Sequence, residues 1–316
     1  MAPMTMVAFA SVKASPGVTT AALAVAAGWP QPVRAVVAEC DPAGGDVAAW
    51  FGLAATSGLV SLAAAARRDP AAGRLVDHCQ RLPGGVELLA GPPGAAQATA
   101  ALQVLAGQRA AALTTPADGA PAVVVADCGR LTPGSPAGAL LGVARLTVLV
   151  VRPVLAEVSH VAAAVDAVRE VTRSLVLVVV GDDGYTSDDL AAALEVPVVG
   201  RLPHDPAGAG LTAGRVAVSG RLVRRSRLAR AARVLAADLA HRLTGDVPAL
   251  TAGPEPAATV AGTSATHDQT ATGPEKARPA PSDRRHRRRE RDAAPPAAPA
   301  DRCPVPGWVP SVEADG

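Results

Sequence analysis

From Thr5 to about Thr244, short apolar runs rich in β-branched residues alternate with longer alanine-rich stretches, and that alternation restricts the possible folds severely. Strands are expected near Met6 to Ala10, Ala35 to Glu39, Val86 to Ala90, Ala122 to Asp127, Leu146 to Val151, Leu175 to Val180 and Val196 to Arg201. Helices are expected over Thr19 to Ala27, Leu59 to Ala66, Ala95 to Leu113, Val154 to Val171, Ser187 to Leu194 and Ser226 to Leu243. Each strand is apolar throughout rather than alternating, as strands buried on both faces are. Strands that alternate with helices in this way form parallel sheets with a helix on each crossover. The expectation is an α/β fold: one doubly wound, mostly parallel seven-stranded sheet between two helical layers, in a single domain over residues 1–244. With only 2% aromatic residues, its core must be built of Ala, Val and Leu.

After Gly245 the composition changes: twelve of the 29 prolines fall in the last 72 residues, mixed with Ala, Thr, Gly and Ser. Such a segment buries too little apolar surface to offset the entropy of ordering it, so residues 245–316 read as a disordered tail. It carries the basic block Arg284 to Arg291 and a terminal Trp308 between prolines. Cys40, Cys79, Cys128 and Cys303 show no paired spacing, which argues against a zinc site or a disulfide framework. The amino terminus has no basic region ahead of its apolar stretch. The richest apolar window, Leu140 to Val151, is broken by Arg145 and closed by Arg152. A cytoplasmic protein is the expectation, with any contact at nucleoid or membrane peripheral.

Of the 30 basic residues 28 are arginine, and Lys13 is the single lysine before Lys276. It stands in Val12-Lys13-Ala14-Ser15-Pro16-Gly17-Val18-Thr19-Thr20, between the first strand and the first helix. A strand, a Gly-containing loop and a helix start aim backbone N–H groups and the positive end of a helix dipole at one point, which suits a phosphate. A compact ammonium suits a phosphate oxygen inside such a loop better than a planar fork does. Thr19 and Thr20 add hydroxyls, one able to ligate Mg²⁺. A tight turn without ligand would carry the same loop. Two acidic strand ends weigh against that reading: Glu39-Cys40-Asp41-Pro42-Ala43-Gly44-Gly45-Asp46, and Val123-Val124-Val125-Ala126-Asp127-Cys128-Gly129. Both strands are expected beside the first one, where ligands bind in doubly wound sheets.

The loop resembles the deviant Walker A loop, K-G-G-x-G-K-[ST], of the MinD/ParA family of P-loop ATPases. Lys13 takes the place of the signature lysine, Gly17 of the last glycine and Thr19 of the magnesium-binding hydroxyl. Ala14 and Ser15 stand where the family has glycines, and Val18 where it has the principal phosphate-binding lysine. The Glu39 to Asp46 run is similar to the family's D-x-D-P-x-G-[GN], and the run ending in Asp127 to its Walker B strand. The similarity continues through Leu149 to Pro153 and Val199 to Asp205, and so covers nearly all of residues 5 to 244.

The resemblance implies ATP and Mg²⁺ as cofactors and a homodimer that forms around two nucleotides. Lys13, Gly17, Val18, Thr19 and Thr20 would line the phosphates, and Lys13 would also reach a partner's nucleotide. Asp41 would orient the attacking water, and Thr19, Asp41 and Asp127 would serve the metal. The Pro203, His204 and Asp205 loop would lie against the adenine, opposite Gly181-Asp182-Asp183 where the family commonly has an asparagine. The implied function is an ATP-binding switch that positions a cargo, either chromosome or plasmid DNA or a polar assembly, with weak hydrolysis because Val18 cannot neutralise phosphate charge. The alternative is a pseudo-ATPase scaffold resembling the TadZ/CpaE localisation factors of pilus systems. His204 has no serine or cysteine elbow near it and reads as a solvent-facing loop residue.

The last helical run has Ser226 as its expected N-cap, and Leu228, Ala232, Leu235, Leu239 and Leu243 fall on one face. Six arginines, Arg221, Arg224, Arg225, Arg227, Arg230 and Arg233, crowd its start, where cations oppose the helix dipole. They make DNA phosphates or an anionic membrane candidate partners, as does the Arg284 to Arg291 block, against the plainer reading of solvated arginines.

Overall fold

The computed structural model describes residues 4–13, 16–54, 56–68, 74–114, 122–214 and 225–244. Ala14, Ser15, Arg221, Arg224, the Arg284 to Arg291 block and the segment expected to be disordered all lie outside them. The strands are β1 (Thr5–Ser11), β2 (Arg34–Glu39), β3 (Gln80–Arg81), β4 (Glu87–Leu89), β5 (Ala122–Arg130), β6 (Leu146–Val151), β7 (Leu175–Val180) and β8 (Val198–Leu202). They form one sheet in the order β3-β4-β2-β5-β1-β6-β7-β8, parallel except for the antiparallel β3–β4 pair.

The sheet has one strand more than the sequence pattern predicts. β3 is only two residues long, too short to show a period, and it pairs with β4 through a turn closed by the Leu82 N–H donating to the Val86 carbonyl at 2.8 Å. β2 is not the neighbour of β1 that the sequence pattern predicts. Only β5 adjoins β1 on that side, and β2 lies beyond β5, so the two acidic strand ends flank each other rather than both flanking β1.

Among the described residues the helices are α1 (Val18–Ala27), α2 (Val47–Trp50), α3 (Leu59–Arg68), α4 (Ala95–Leu105), α5 (Gly138–Val143), α6 (Leu155–Val171), α7 (Ser187–Leu194), α8 (Pro206–Thr212) and α9 (Arg227–Thr244). The helix expected over Ala95 to Leu113 stops at Leu105, because Ala106 turns extended ahead of Gly107; a 3-10 segment, Gly107–Leu113, follows. β8 starts at Val198 instead of Val196, since Pro197 has no N–H to give the ladder and contributes only its carbonyl, to the Leu177 N–H.

Alternate residues of the central strands enter two separate cores, which is why these strands read as unbroken apolar runs. Met6, Ala8, Val124 and Ala126 face α3 to α7, while Val7, Phe9, Val123 and Val125 face α1 and α9. Ser226 caps α9 as expected, accepting the Ala229 N–H at 3.1 Å, and Leu228, Ala232, Leu235 and Leu239 are buried on the sheet. Gly28 and Gly200 leave room for this approach, because a Cβ at either would press on Arg233 or Leu235. No helix among the described residues is long and apolar enough to cross a membrane.

Leu235 is 2% exposed and its neighbour Val234 73%. In urea unfolding, Leu235→Ala is expected to destabilise by about 2–5 kcal/mol through loss of packing and a residual cavity. Val234→Ala should stay within about 0.5 kcal/mol. Equal effects would contradict the orientation of α9.

Candidate functional site

β1 ends at Ser11 and delivers the chain into the loop that α1 closes. Gly17 is the N-cap, with φ 96° and ψ 38°, in the left-handed region that a Cβ disfavours. α1 has no side-chain cap and no acidic residue in its first turn, so the positive end of its dipole meets no carboxylate of its own. Lys13 is exposed, and Thr19 and Thr20 are half-buried. Val18 is only 6% exposed and packs in the core between α1 and the sheet. Its side chain is therefore core, and a ligand could use only its backbone.

β5 carries Asp127 to the level of Phe9 on β1 and Glu39 on β2. The carboxylate is 2% exposed and faces α1, where it accepts the Thr19 hydroxyl and, at 3.1 Å, the Gly129 N–H. Burial pushes its pKa up to about 6; those two hydrogen bonds oppose the shift, and the charges of Asp41 and Asp46 add to it. No basic side chain forms an ion pair with Asp127 among the described residues. A buried carboxylate without a cation, bonded to a hydroxyl at a helix start, has the chemistry of a magnesium site completed by water and phosphate oxygens. Among the described residues no three His, Cys, Asp or Glu side chains form a metal cage, which such a site does not need.

Glu39 serves as a hub for backbone amides. Its Oε1 accepts the N–H groups of Asp46 and Val47, each at 2.9 Å, and its Oε2 accepts that of Gly91 at 3.0 Å. Three segments thus hang on one carboxylate: the end of β2, the start of α2 and the exit of β4. Burial drives its pKa up to about 7 against those hydrogen bonds, and the Asp127 charge adds to the rise. The Asp41 loop is fixed further by the Gly45 N–H donating to the Pro92 carbonyl at 2.9 Å. Asp41 itself is half-buried; its Oδ1 accepts the Ala43 N–H at 2.7 Å. Burial raises its pKa, partly countered by that hydrogen bond and by Arg130. Gly129 lies against the Asp41 carboxylate with φ +59°, and a Cβ there would overlap it. Neither Gly129 nor the hub role of Glu39 was among the expected site features. The Asp-Cys-Gly tripeptide after β5 was a signal for the first; for the second the sequence offers none, because the partners are backbone amides.

The structure gathers Lys13, Gly17, Thr19, Thr20, Asp41 and Asp127 around the ends of β1, β5 and β2. Pro203, His204 and Asp205 follow β8, three strands along from β1. His204 is exposed, as expected of a loop histidine. The Asp205 carboxylate is used structurally: Oδ1 accepts the Gly208 N–H at 2.9 Å and Oδ2 the Leu228 N–H at 3.0 Å, which caps α8 and ties down α9. These bonds hold its pKa below the usual carboxylate range. An open groove of about 470 Å³ runs there between Asp205, Gly208, Leu211, Arg225, Arg227 and Arg230. Arg227 pairs with Asp182 at 3.1 Å, so one of the arginines at the start of α9 and one of the aspartates after β7 are engaged with each other.

Three of the solved structures similar to the chain are the following. A ParA family ATPase from Chlorobium tepidum shares 17% identity over 75% of this chain and 98% of its own, with a TM-score of 0.59. The septum site-determining protein MinD from Pyrococcus horikoshii, complexed with Mg-ADP, shares 14% over 77% and 100%, with a TM-score of 0.55. Cobyrinic acid a,c-diamide synthase from Mycobacterium smegmatis, with bound ATP analogue and magnesium, shares 21% over 78% and 99%, with a TM-score of 0.56. No protein-family profile matches the sequence, and no curated protein matches it significantly. At these identities the likeness establishes the fold, which is that of the MinD/ParA-type P-loop ATPases.

Glu39 and Asp127 both bind a proton more readily in the folded chain than in the unfolded one. Their contribution to stability is therefore complete at low pH and is lost as pH rises through about 6 for Asp127 and about 7 for Glu39. Thermal unfolding without nucleotide should show stability falling from about pH 4 and levelling off above about pH 7, by on the order of 3 kcal/mol from Glu39. Glu39→Gln should flatten that slope while lowering stability throughout, since an amide nitrogen cannot accept the Gly91 N–H. An unchanged slope would contradict the assignment.

Proposed function

We propose that the chain is a divergent MinD/ParA-type nucleotide switch that binds ATP with Mg²⁺ at the β1–α1 loop. The observation that carries this is the Thr19 hydroxyl bonded to the buried Asp127, which pairs with no basic side chain among the described residues, beside the glycine-capped start of α1. Bound ATP supplies the transferable phosphoryl group, and Mg²⁺ neutralises charge on its oxygens. The amides that open α1 receive the phosphates. Thr19 and Asp127 would hold the metal, Thr19 directly and Asp127 through water, and Asp41 would orient the attacking water. The Pro203, His204 and Asp205 loop would lie against the adenine, as the resemblance implies. Magnesium-nucleotide binding by solved proteins of the same fold supports the cofactor assignment.

Lys13, exposed at the mouth of the loop, suits a contact with the nucleotide of a second copy, so a nucleotide-dependent homodimer belongs to this reading. The cargo is a DNA or polar assembly, engaged through the arginines at the start of α9 or through the basic block beyond residue 245, with an unidentified protein partner. One observation favours the second reading, a pseudo-ATPase scaffold resembling TadZ/CpaE. Val18 is buried and apolar where a lysine would meet the β- and γ-phosphates. Binding without efficient hydrolysis follows from it.

Calorimetric titration should give Mg·ATP binding that Thr19→Ala and Asp127→Asn each weaken by about tenfold or more, the loss of one charged contact. No binding by the folded wild-type protein would overturn the nucleotide reading. Turnover no faster than that of Asp41→Ala, with binding intact, would leave the scaffold reading.

A further inference from the structure

The candidate site is rich in carboxylates and poor in cations. Glu39, Asp41, Asp46 and Asp127 converge on the ends of β2 and β5, and at position 18 the core takes the side chain. A triphosphate brought to this place needs positive charge that the loop does not supply beyond Lys13.

Among the described residues, a further cation stands at the same sheet edge. Arg130 is the last residue of β5, exposed, and in register with Ser11, the last residue of β1. The following Leu131 N–H donates to the Ser11 carbonyl at 2.8 Å, so the chain that carries Arg130 is fastened to the chain that enters the phosphate loop. Gly129 turns with positive φ against the Asp41 carboxylate, and the Arg130 charge acts on that carboxylate. Arg130 thus sits between the phosphate loop and the residue placed to orient water. Arg34, Arg74, Arg152, Arg169, Arg227 and Arg242, in contrast, are held by carboxylates.

We infer that Arg130 is a phosphate-binding residue that contacts the terminal phosphate of ATP and takes over part of the role that Val18 cannot fill. A guanidinium on a long stem reaches from a strand end where a valine in the first turn of α1 cannot, and its fork can hold two phosphate oxygens. The contact addresses the γ-phosphate because Arg130 lies on the Asp41 side of the loop, where the water-orienting carboxylate is. This inference rests on the nucleotide reading of the site, and it makes the ATP-to-ADP preference a property of β5 instead of the phosphate loop alone.

The test compares Mg·ATP and Mg·ADP affinities, by calorimetry, for the full-length protein and its Arg130→Ala, Arg130→Gln and Arg130→Lys variants, with circular dichroism to verify the fold. Arg130→Gln keeps the stem and serves if the alanine variant is impaired in folding. Removing the charge should weaken Mg·ATP by about tenfold, the loss of one charge-assisted contact, and change Mg·ADP by less than about twofold. The lysine variant should lie between. Equal weakening of both nucleotides, or of neither, would overturn the inference while leaving the site assignment intact. A wild-type protein that binds neither nucleotide would overturn both.

Discussion

The hydroxyl of Thr19 reaches Asp127 from the first turn of α1, and the rest of the candidate site is organised around that contact. It joins the two elements that a phosphate site must hold in fixed relation, the helix start and the neighbouring strand end. Asp127 is fixed from other sides as well: its side chain accepts the Gly129 N–H, and its carbonyl accepts the Cys40 N–H at 2.7 Å. A carboxylate held in this way cannot turn toward solvent, and burial works against its charge. Binding a divalent cation nearby would relieve that penalty, so the same burial that raises its pKa favours a metal.

Glu39 does for the Asp41 loop what Asp127 does for α1. By accepting three backbone N–H groups it joins β2, α2 and the β4 exit, and Gly45 packs so closely on it that no side chain fits between. The loop with Asp41 is therefore seated on the sheet before any ligand arrives, which reduces the entropy lost when it engages one. The longer side chain of Glu matters here: it spans from the strand end to Gly91 on one side and to the start of α2 on the other.

The fold was legible because both faces of every long strand are buried, which writes continuous apolar runs into the sequence, and because leucines at helical spacing marked α9. What failed were features without a period: the two-residue β3, the break at Ala106, and the place of β2, since strand order depends on how helices pack and not on any one segment. Within the site, Lys13, Gly17, Thr19, Asp41 and Asp127 were readable from motif spacing, and the structure brings them together. Val18 was readable as standing where the resemblance has a lysine, but its burial was not, because the loop pattern says nothing of which way the first helical side chain turns. The capping of α8 and α9 by Asp205 and the hub role of Glu39 stayed hidden for one reason: both are carboxylate-to-backbone bonds across long sequence separations.

The central claim is that a nucleotide's phosphates sit on the start of α1 between Thr19, Asp127 and the Asp41 loop. Amide hydrogen exchange of the full chain, with and without saturating Mg·ATP, reads that location directly. Slower exchange confined to peptides covering residues 11–21, 39–47 and 127–131 is the predicted result. Protection confined to the groove at the start of α9, with no change around α1, would contradict the account.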